Sequence, residues 1–346
     1  MRLTVDEARL RLAETLTTAN WSADTEDVAV VTLEHAGVTA YGEGVPVTFL
    51  GESAESLAAA IASDGTSLLG GDPLALELIS RRLAAWDGPR GAKMALDGAL
   101  HDWLGKHVGQ PLWRLFGLEP VTPPTSFTIG LGGVGDTVAK VERAPGFEVF
   151  KVKVGGPADL ERLEAIRAAT GARIRIDGNE GWTLATALEL TPRLRRLGVE
   201  FVEQPFPVAD RDSYLAYREL PERLPVLIDE GCLGLDTVAP IAGYADGVVV
   251  KLSKSGGIRE AHRMIHAARA LGLRVMLGCM VESQLGISQA AQLAQLADHV
   301  DLDGHLLLSH QPFTGHGLRD GRLVLADAPG LGVEPTTTTM EGTDGR

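Results

Sequence analysis

The chain has only two cysteines, Cys232 and Cys279, and they show no C-x-x-C spacing. A disulfide framework and a four-cysteine zinc site are excluded, a reducing compartment is expected, and each thiol reads as a small buried apolar side chain. Long hydrophobic runs are missing too: no apolar stretch approaches the roughly 20 residues of a membrane helix. Met1 to Leu16 sets Arg, Asp and Glu among leucines where a signal peptide would have an apolar centre, so a cytoplasmic protein is expected. Positive charge is scarce, with 32 basic against 46 acidic residues and a net charge of −14. Neither nucleic acid nor a membrane is therefore an expected partner, although part of the excess could belong to an acidic site that takes a cation. The nine histidines hold no H-E-x-x-H run or similar metal spacing, so His101, His107 and His262 read as helix-surface or packing residues.

What is present is a rhythm. From Lys153 the chain reaches Asp177 after 24 residues, Glu203 after another 26, Asp229 after another 26 and Lys251 after another 22. Each closes a short run rich in Val, Ile or Leu: Val149 to Val154, Arg173 to Asp177, Val199 to Glu203, Pro225 to Asp229 and Gly247 to Leu252. If these runs are parallel strands joined by helices, their last residues crowd one rim of a (β/α) barrel, where catalytic groups of such barrels sit. The apolar share of 45% over 346 residues suits one barrel plus a smaller domain.

Taken in order, Asp27 to Glu34 and Val38 to Glu43 alternate about His35-Ala36-Gly37 and read as a hairpin. Helices are expected over Glu52 to Ala62, Pro73 to Trp86, with Asp72 as N-cap, and Arg90 to His107. The last of these sets Ala92, Ala95, Leu96, Ala99, Leu100, Trp103 and Leu104 on one stripe. Pro120 to Thr125 reads as a linker. Beyond it the barrel strands begin at Ser126 to Ile129 and end with Val275 to Gly278 and His299 to Asp303. The intervening helices fall at Asp159 to Thr170, Thr183 to Leu197, Asp210 to Leu220, Asp236 to Ala242, Ile258 to Leu271 and Ser288 to Ala297. Residues 336–346, with little apolar content, are expected to be disordered. Gly130-Leu-Gly132-Gly-Val-Gly135 satisfies G-x-G-x-x-G, but the next strand ends in Lys151-Val-Lys153 and not in the acid a dinucleotide site wants. A mobile loop at the rim is the preferred reading.

Asp177, Glu203 and Asp229, one from each of three adjacent strand ends, would make an all-oxygen site suited to Mg²⁺. Lys153 and Lys251 come from opposite sides of the barrel, with those acids between them. A nearby cation and a second ammonium would lower a lysine's pKa towards that of a general base. One lysine would take the α-proton of a carboxylate substrate and the other would reprotonate the opposite face, through an enediolate. Lys151 shares Lys153's side of its strand and reads as a supporting group that also reaches the substrate carboxylate.

Lys151-Val-Lys153, Asp177-Gly-Asn179, Glu203-Gln-Pro205, Asp229-Glu230 and Lys251-Leu-Ser-Lys254-Ser-Gly-Gly257 together resemble the successive motifs of the enolase superfamily, muconate-lactonizing subgroup. The resemblance extends from Gly42-Glu43 through Ala95-Leu-Asp97-Gly-Ala-Leu-His101-Asp102 to Pro329-Gly-Leu-Gly332. It implies a modified (β/α)₇β TIM barrel (residues 121–320) under an N-terminal α+β capping domain (residues 1–120), with residues 321–335 returning to the cap. It further implies Mg²⁺ on Asp177, Glu203 and Asp229, and Lys153 and Lys251 as the acid/base pair.

Asp301-Leu-Asp303-Gly-His305 resembles the Asp-x-Asp motif of the dipeptide epimerases, whose acids bind the substrate's free α-ammonium. Gly278-Cys279-Met280-Val-Glu282-Ser283 resembles the seventh-strand segment of that family and is expected to line the pocket. Lys151, Asp301, Asp303, Cys279, Met280, Trp21 and Thr128 form the candidate substrate-binding set. Where members acting on Ala-Glu dipeptides carry an arginine, this chain has Asn20; Trp21, Phe49 and Leu50 suggest a neutral or apolar side chain, and Asp24 leaves a cationic one open. The implied activity is a Mg²⁺-dependent dipeptide epimerase, an isomerase inverting the α-carbon of the C-terminal residue of a small-molecule substrate. The rivals are N-acylamino acid racemase, o-succinylbenzoate synthase or muconate cycloisomerase of the same subgroup, a Schiff-base lyase or aldolase using one barrel lysine, and a non-catalytic carboxylate binder. A homo-oligomer is compatible with all of these.

Overall fold

The computed structural model describes residues 1–336; the expected disordered tail lies, from residue 337 on, outside them. Three antiparallel strands open the chain in the order β1 (Arg2–Thr17), β2 (Ser22–His35), β3 (Val38–Gly44). The β2–β3 turn puts Ala36 and Gly37 at positive φ, a turn whose twist suits two-residue hairpins. β1 adds a strand the sequence reading lacks, because its charges alternate with core-facing Ala8 and Leu10. β2 is covered on both faces. Ala29, Val31 and Leu33 pack on the cap's own core, whereas Val28 and Val30 join the barrel core. The cap is thereby fixed to the barrel by alternate residues of one strand.

Helix α1 (Ala54–Leu69) runs about two turns past its expected end; a Cβ on its interior Gly65 would lie 2.6 Å from Leu3 Cδ2, so the helix approaches β1 closely there. Asp72 does not cap α2 (Leu76–Ala85); its Oδ1 accepts the Leu74 N–H in a turn ahead of the helix. α3 (Arg90–Val108) is buried well beyond the expected stripe, because Asp97 and Gly98 face barrel residues Arg259 and Gln289. A short α4 (Leu112–Leu115) follows.

Eight parallel strands then form one sheet in sequence order: β4 (Phe127–Ile129), β5 (Val149–Lys153), β6 (Arg173–Asp177), β7 (Val199–Glu203), β8 (Val226–Ile228), β9 (Gly247–Lys251), β10 (Arg274–Gly278) and β11 (His299–Asp301). Ser126 N–H donates to Val300 O at 3.1 Å and brings the two edges together. The modified barrel and cap implied by the motifs are the fold of this chain. Between the strands run α5 (Val134–Glu142), α6 (Asp159–Ala169), α7 (Leu184–Arg196), α8 (Arg211–Arg218), α9 (Leu235–Ile241), α10 (Leu252–Ser255) with α11 (Ile258–Ala270), and α12 (Gln284–Ala291). α5 has no counterpart in the sequence reading. α12 starts four residues earlier than expected because Ser283 caps it.

Strand parity sets the site. Phe201, Leu227, Val249 and Met276 form a sealed inner layer, each 0% exposed. Two residues further along their strands, on the same face, stand Glu203, Asp229, Lys251 and Gly278. The apolar layer is thus a floor, and the charged rim lies directly above it.

Two segments close the seam. Pro120 to Thr125, read as a linker, is tied to the returning chain: Thr122 N–H donates to Leu323 O and Leu325 N–H to Pro120 O. Gly330, at φ 74°, turns the chain so that Leu112 N–H reaches Gly330 O at 2.8 Å and Leu331 N–H reaches Asp102 Oδ1 at 2.8 Å. Among the described residues no helix is long and apolar enough to cross a membrane.

Candidate active site

The rim collects the charges that lie scattered along the sequence. Lys153 on β5 and Lys251 on β9 are four strands apart in the eight-strand order, hence on opposite flanks. Lys153 Nζ donates to Asp177 Oδ2 at 2.7 Å, and Lys251 Nζ to Asp229 Oδ2 at 2.7 Å. Lys151 sits deeper, 3.0 Å from Asp177 Oδ2, 2.7 Å from Glu203 Oε2 and 2.8 Å from Asp301 Oδ2. It is a central counter-ion and more than a supporting group. Room for Lys251 comes from Gly278, where a Cβ would stand 3.3 Å from both Lys251 Cγ and Cε.

Burial works to lower the Lys251 pKa, but Asp229 with Glu203 and Glu230 outweighs it and the net direction is upward. Lys151 is likewise raised, against its burial, by Asp177, Asp301 and Glu203. For Lys151 and Lys251 the surrounding carboxylates outweigh burial. Burial alone would raise Asp177, yet Lys151 and Lys153 bring it below the usual carboxylate range. Glu203, raised by burial and by Asp177, is the exception.

Glu203 also supplies the test for a metal. Both its carboxylate oxygens are buried and accept no hydrogen bond, the close Lys151 ammonium being out of line. Among the described residues no three acidic, histidine or cysteine side chains gather as a ready cage, since ammonium groups interleave Asp177, Glu203 and Asp229. The donor set is nevertheless all oxygen, contributed by neighbouring strand ends, and it leaves one carboxylate unsatisfied. These residues fit a hard divalent cation. Around them the backbone is strained: Asn179, Glu180 and Gln204 hold positive φ, which non-glycine residues adopt mainly at functional sites. Gln204 Oε1 in turn accepts the Asp229 N–H at 2.9 Å.

Above the rim lies a cavity of about 620 Å³ between barrel and cap. Thr128 gives its N–H at 2.6 Å and its hydroxyl at 3.1 Å to Asp303. Burial and the adjacent Asp301 push the Asp303 carboxyl up to about 7, and Asp301 Oδ1 is buried without a partner. Two acids crowded in this way call for a positive group between them. Cys279 and Met280 line the same cavity, and Met280 Sδ lies 3.8 Å from Lys251 Nζ. From the cap, Trp21 and Phe49 close the mouth, whereas Leu50 does not reach it. Asp24 turns away to the Thr15 hydroxyl. Asn20 gives its amide to Asn179 O at 2.6 Å, tying the first capping loop to the rim.

Lys254, Glu230, Asn179 and Glu26 line the cavity as well, although the sequence reading gave them no role. Lys254 donates to both Oδ1 and the carbonyl of Asp229. Its position three residues after Lys251, on the first turn of α10, is the signal that could have found it. The glycine-rich stretch is anchored at its start, where Arg162 donates to Gly130 O at 2.6 Å and Leu131 N–H to Thr17 O at 2.8 Å, and its end, from Val134, is the first turn of α5.

Comparison with known proteins agrees with this geometry. Residues 2–117 match the mandelate racemase / muconate lactonizing enzyme N-terminal domain, and residues 134–339 match the enolase C-terminal domain-like family. An L-Ala-D/L-Glu epimerase of Bacteroides thetaiotaomicron is 37% identical over 96% of this chain and 88% of its own length. A hydrophobic dipeptide epimerase of Roseobacter litoralis is 38% identical over 70% of this chain and 72% of its own length. Among solved structures, a dipeptide epimerase from Methylococcus capsulatus complexed with Mg and L-Arg-D-Lys superposes with a TM-score of 0.90 at 32% identity, covering 96% of this chain and 98% of that one. A dipeptide epimerase from Enterococcus faecalis complexed with Mg and L-Leu-L-Tyr gives the same TM-score, 0.90, and the same coverage at 31% identity. Barrel and cap are thus shared over nearly the whole chain, and the chain belongs to the enolase superfamily, in its mandelate racemase / muconate lactonizing branch.

Proposed function

We propose that this protein is a Mg²⁺-dependent dipeptide epimerase that inverts the α-carbon of the C-terminal residue by proton transfer between two lysines. The observation that carries the reading is that Asp301 and Asp303 face the same cavity as Lys153 and Lys251. The paired acids suit the free α-ammonium of a dipeptide, a group that N-acylamino acids and muconate lack. Asp177, Glu203 and Asp229 would hold Mg²⁺, which when bound supplies Lewis-acid polarisation of the substrate's carboxylate. Lys151 stays charged among these acids and helps to offset negative charge that builds at that carboxylate. Of the two flanking lysines, the one on the side of the departing proton must begin as a free amine and the other as an ammonium. One proton leaves the α-carbon and another arrives on the opposite face, so the two lysines exchange protonation states in each inversion.

The test is α-deuterium uptake in D₂O with Mg²⁺, screened by mass spectrometry over dipeptides and N-acylamino acids. Dipeptides should exchange, and Asp301→Asn with Asp303→Asn should abolish that exchange. Turnover of N-acylamino acids that survives the double substitution, with dipeptides inert in the wild type, would sink the proposal.

A further inference from the structure

Helix α11, on the outside of the barrel, carries His262 and His266 one turn apart, and their Nε2 atoms lie 3.2 Å from each other. The rings stand at 77° with centroids 4.5 Å apart. His262 is partly buried and stacks on Phe116, centroid to centroid 5.4 Å, at 27°; His266 is open to solvent. The spacing His262-Arg-Met-Ile-His266 is that of the zinc-binding H-E-x-x-H helix, with arginine where that motif has its general base. Reading His262 alone as a surface or packing residue overlooks this partner.

The distance is informative. Two imidazole nitrogens bound to one ion at about 2.0–2.1 Å, with an angle of about 90–110°, are separated by about 2.9–3.4 Å. The observed separation falls inside that range without movement of the helix. Burial, helped by His266 and Arg259, keeps His262 below the ordinary histidine pKa and therefore neutral at pH 7, the form that ligates. Arg263, the next basic side chain on this helix, is committed to Glu77 at 2.9 Å and Glu260 at 3.5 Å. Phe116, which orients the buried imidazole, belongs to the segment leaving the cap, so the pair sits on the seam between cap and barrel.

We propose that His262 and His266 form a two-histidine site for an imidazole-preferring divalent transition metal such as Zn²⁺, Ni²⁺ or Cu²⁺, with water completing the coordination. The carboxylate rim prefers hard cations, so the two sites sort metals by ligand type. Because it lies on the outer face of α11, the site takes no part in proton transfer. It clamps one turn of α11 and, through the stacked ring, the seam at Phe116.

The experiment uses the untagged chain with saturating Mg²⁺, so that the rim is occupied, and titrates Ni²⁺ by calorimetry. One equivalent should bind, and His262→Ala and His266→Ala should each weaken binding at least tenfold while Mg²⁺-dependent deuterium exchange stays at the wild-type rate. Cu²⁺ bound to the wild type should show superhyperfine coupling to two nitrogens, reduced in either variant. Equal Ni²⁺ affinity in wild type and both variants, or a Cu²⁺ signal without two-nitrogen coupling, overturns the proposal and leaves the pair as an N–H···N hydrogen bond.

Discussion

Glu43, on the last strand of the cap, accepts the backbone N–H of Ser283 at 2.9 Å and also its hydroxyl, joining cap to barrel 240 residues away. Beside it Glu282 takes the Met280 N–H on one oxygen at 2.9 Å and leaves the other buried without a partner. A Cβ on Gly286 would lie 2.6 Å from Glu43 Oε1 and 2.8 Å from Glu282 Oε2, so the two carboxyls crowd one glycine. Burial pushes Glu43 up to about 7, and burial with Glu43 adding to it pushes Glu282 up to about 8, against the pull of Lys251.

A carboxyl whose pKa is higher in the folded chain binds extra protons there. Its stabilisation is present below the unfolded value of about 4.5 and is lost as pH rises through the folded value. Each of these two groups should therefore cost roughly 2–4 kcal/mol between about pH 4.5 and pH 8. Glu43→Gln or Glu282→Gln keeps the neutral form's shape, and each should flatten the fall in stability over that window, with the gain largest at pH 8. Urea unfolding from pH 5 to pH 8 measures it. Curves parallel to wild type would mean that neither carboxyl is protonated in the native state.

The flanking lysines yield a directional prediction. With Lys153 and Lys251 on opposite sides of the rim, Lys153→Ala and Lys251→Ala should each remove α-deuterium uptake from one antipode by at least about 10³-fold, as loss of a general base does. The two variants should be blind to opposite antipodes. Proton NMR of each diastereomeric dipeptide in D₂O reads this directly. Equal loss for both antipodes in both variants, with the metal still bound, contradicts a two-sided mechanism.

The site was legible in the sequence because strand parity is strict: Asp177, Glu203, Asp229 and Lys251 each close an apolar run, so their faces follow from their positions. The cap was less legible. β1 alternates as a strand does, but its pairing with β2 runs from Thr17 on Ser22, 5 positions away, to Arg2 on Glu34, 32 positions away. α1 continues through Gly65, which lies beside Leu3 of β1, although a glycine in a helix interior is locally unfavourable. Asp24 leaves a cationic substrate side chain open on the sequence alone, yet the fold turns it towards the Thr15 hydroxyl.

Glu203 sets function against stability. Its two buried oxygens accept no hydrogen bond and meet Lys151 only as an ion pair, a shortfall that burdens the metal-free fold and that a bound cation would relieve. Glu203→Gln should therefore raise the melting temperature in EDTA relative to wild type, while the increase that Mg²⁺ produces in the wild type should shrink or vanish. Scanning calorimetry of both proteins with and without Mg²⁺ gives all four numbers. A variant that gains as much from Mg²⁺ as the wild type would remove Glu203 from the cation's ligands.

The first capping loop carries the last prediction. Trp21 is 45% exposed and Phe49 51% exposed at the cavity mouth, and exposed aromatic rings around a cavity are ready to cover an apolar side chain of the substrate. Asn20 cannot hold a substrate carboxylate as an arginine would, and its amide is already engaged with Asn179 O at 2.6 Å. Trp21→Ala should lower kcat/KM for an Ala-Phe or Ala-Leu dipeptide by about 10-fold relative to Ala-Ala, a ratio within the 1–3 kcal/mol that apolar contacts decide in specificity. Asn20→Arg should move the ratio of Ala-Glu to Ala-Leu in the opposite sense, with a stability loss of about 1 kcal/mol for the broken loop contact. Epimerisation followed by chiral chromatography measures both ratios. If Trp21→Ala leaves them unchanged, the substrate side chain does not lie against the cap and the rings at the mouth serve another purpose.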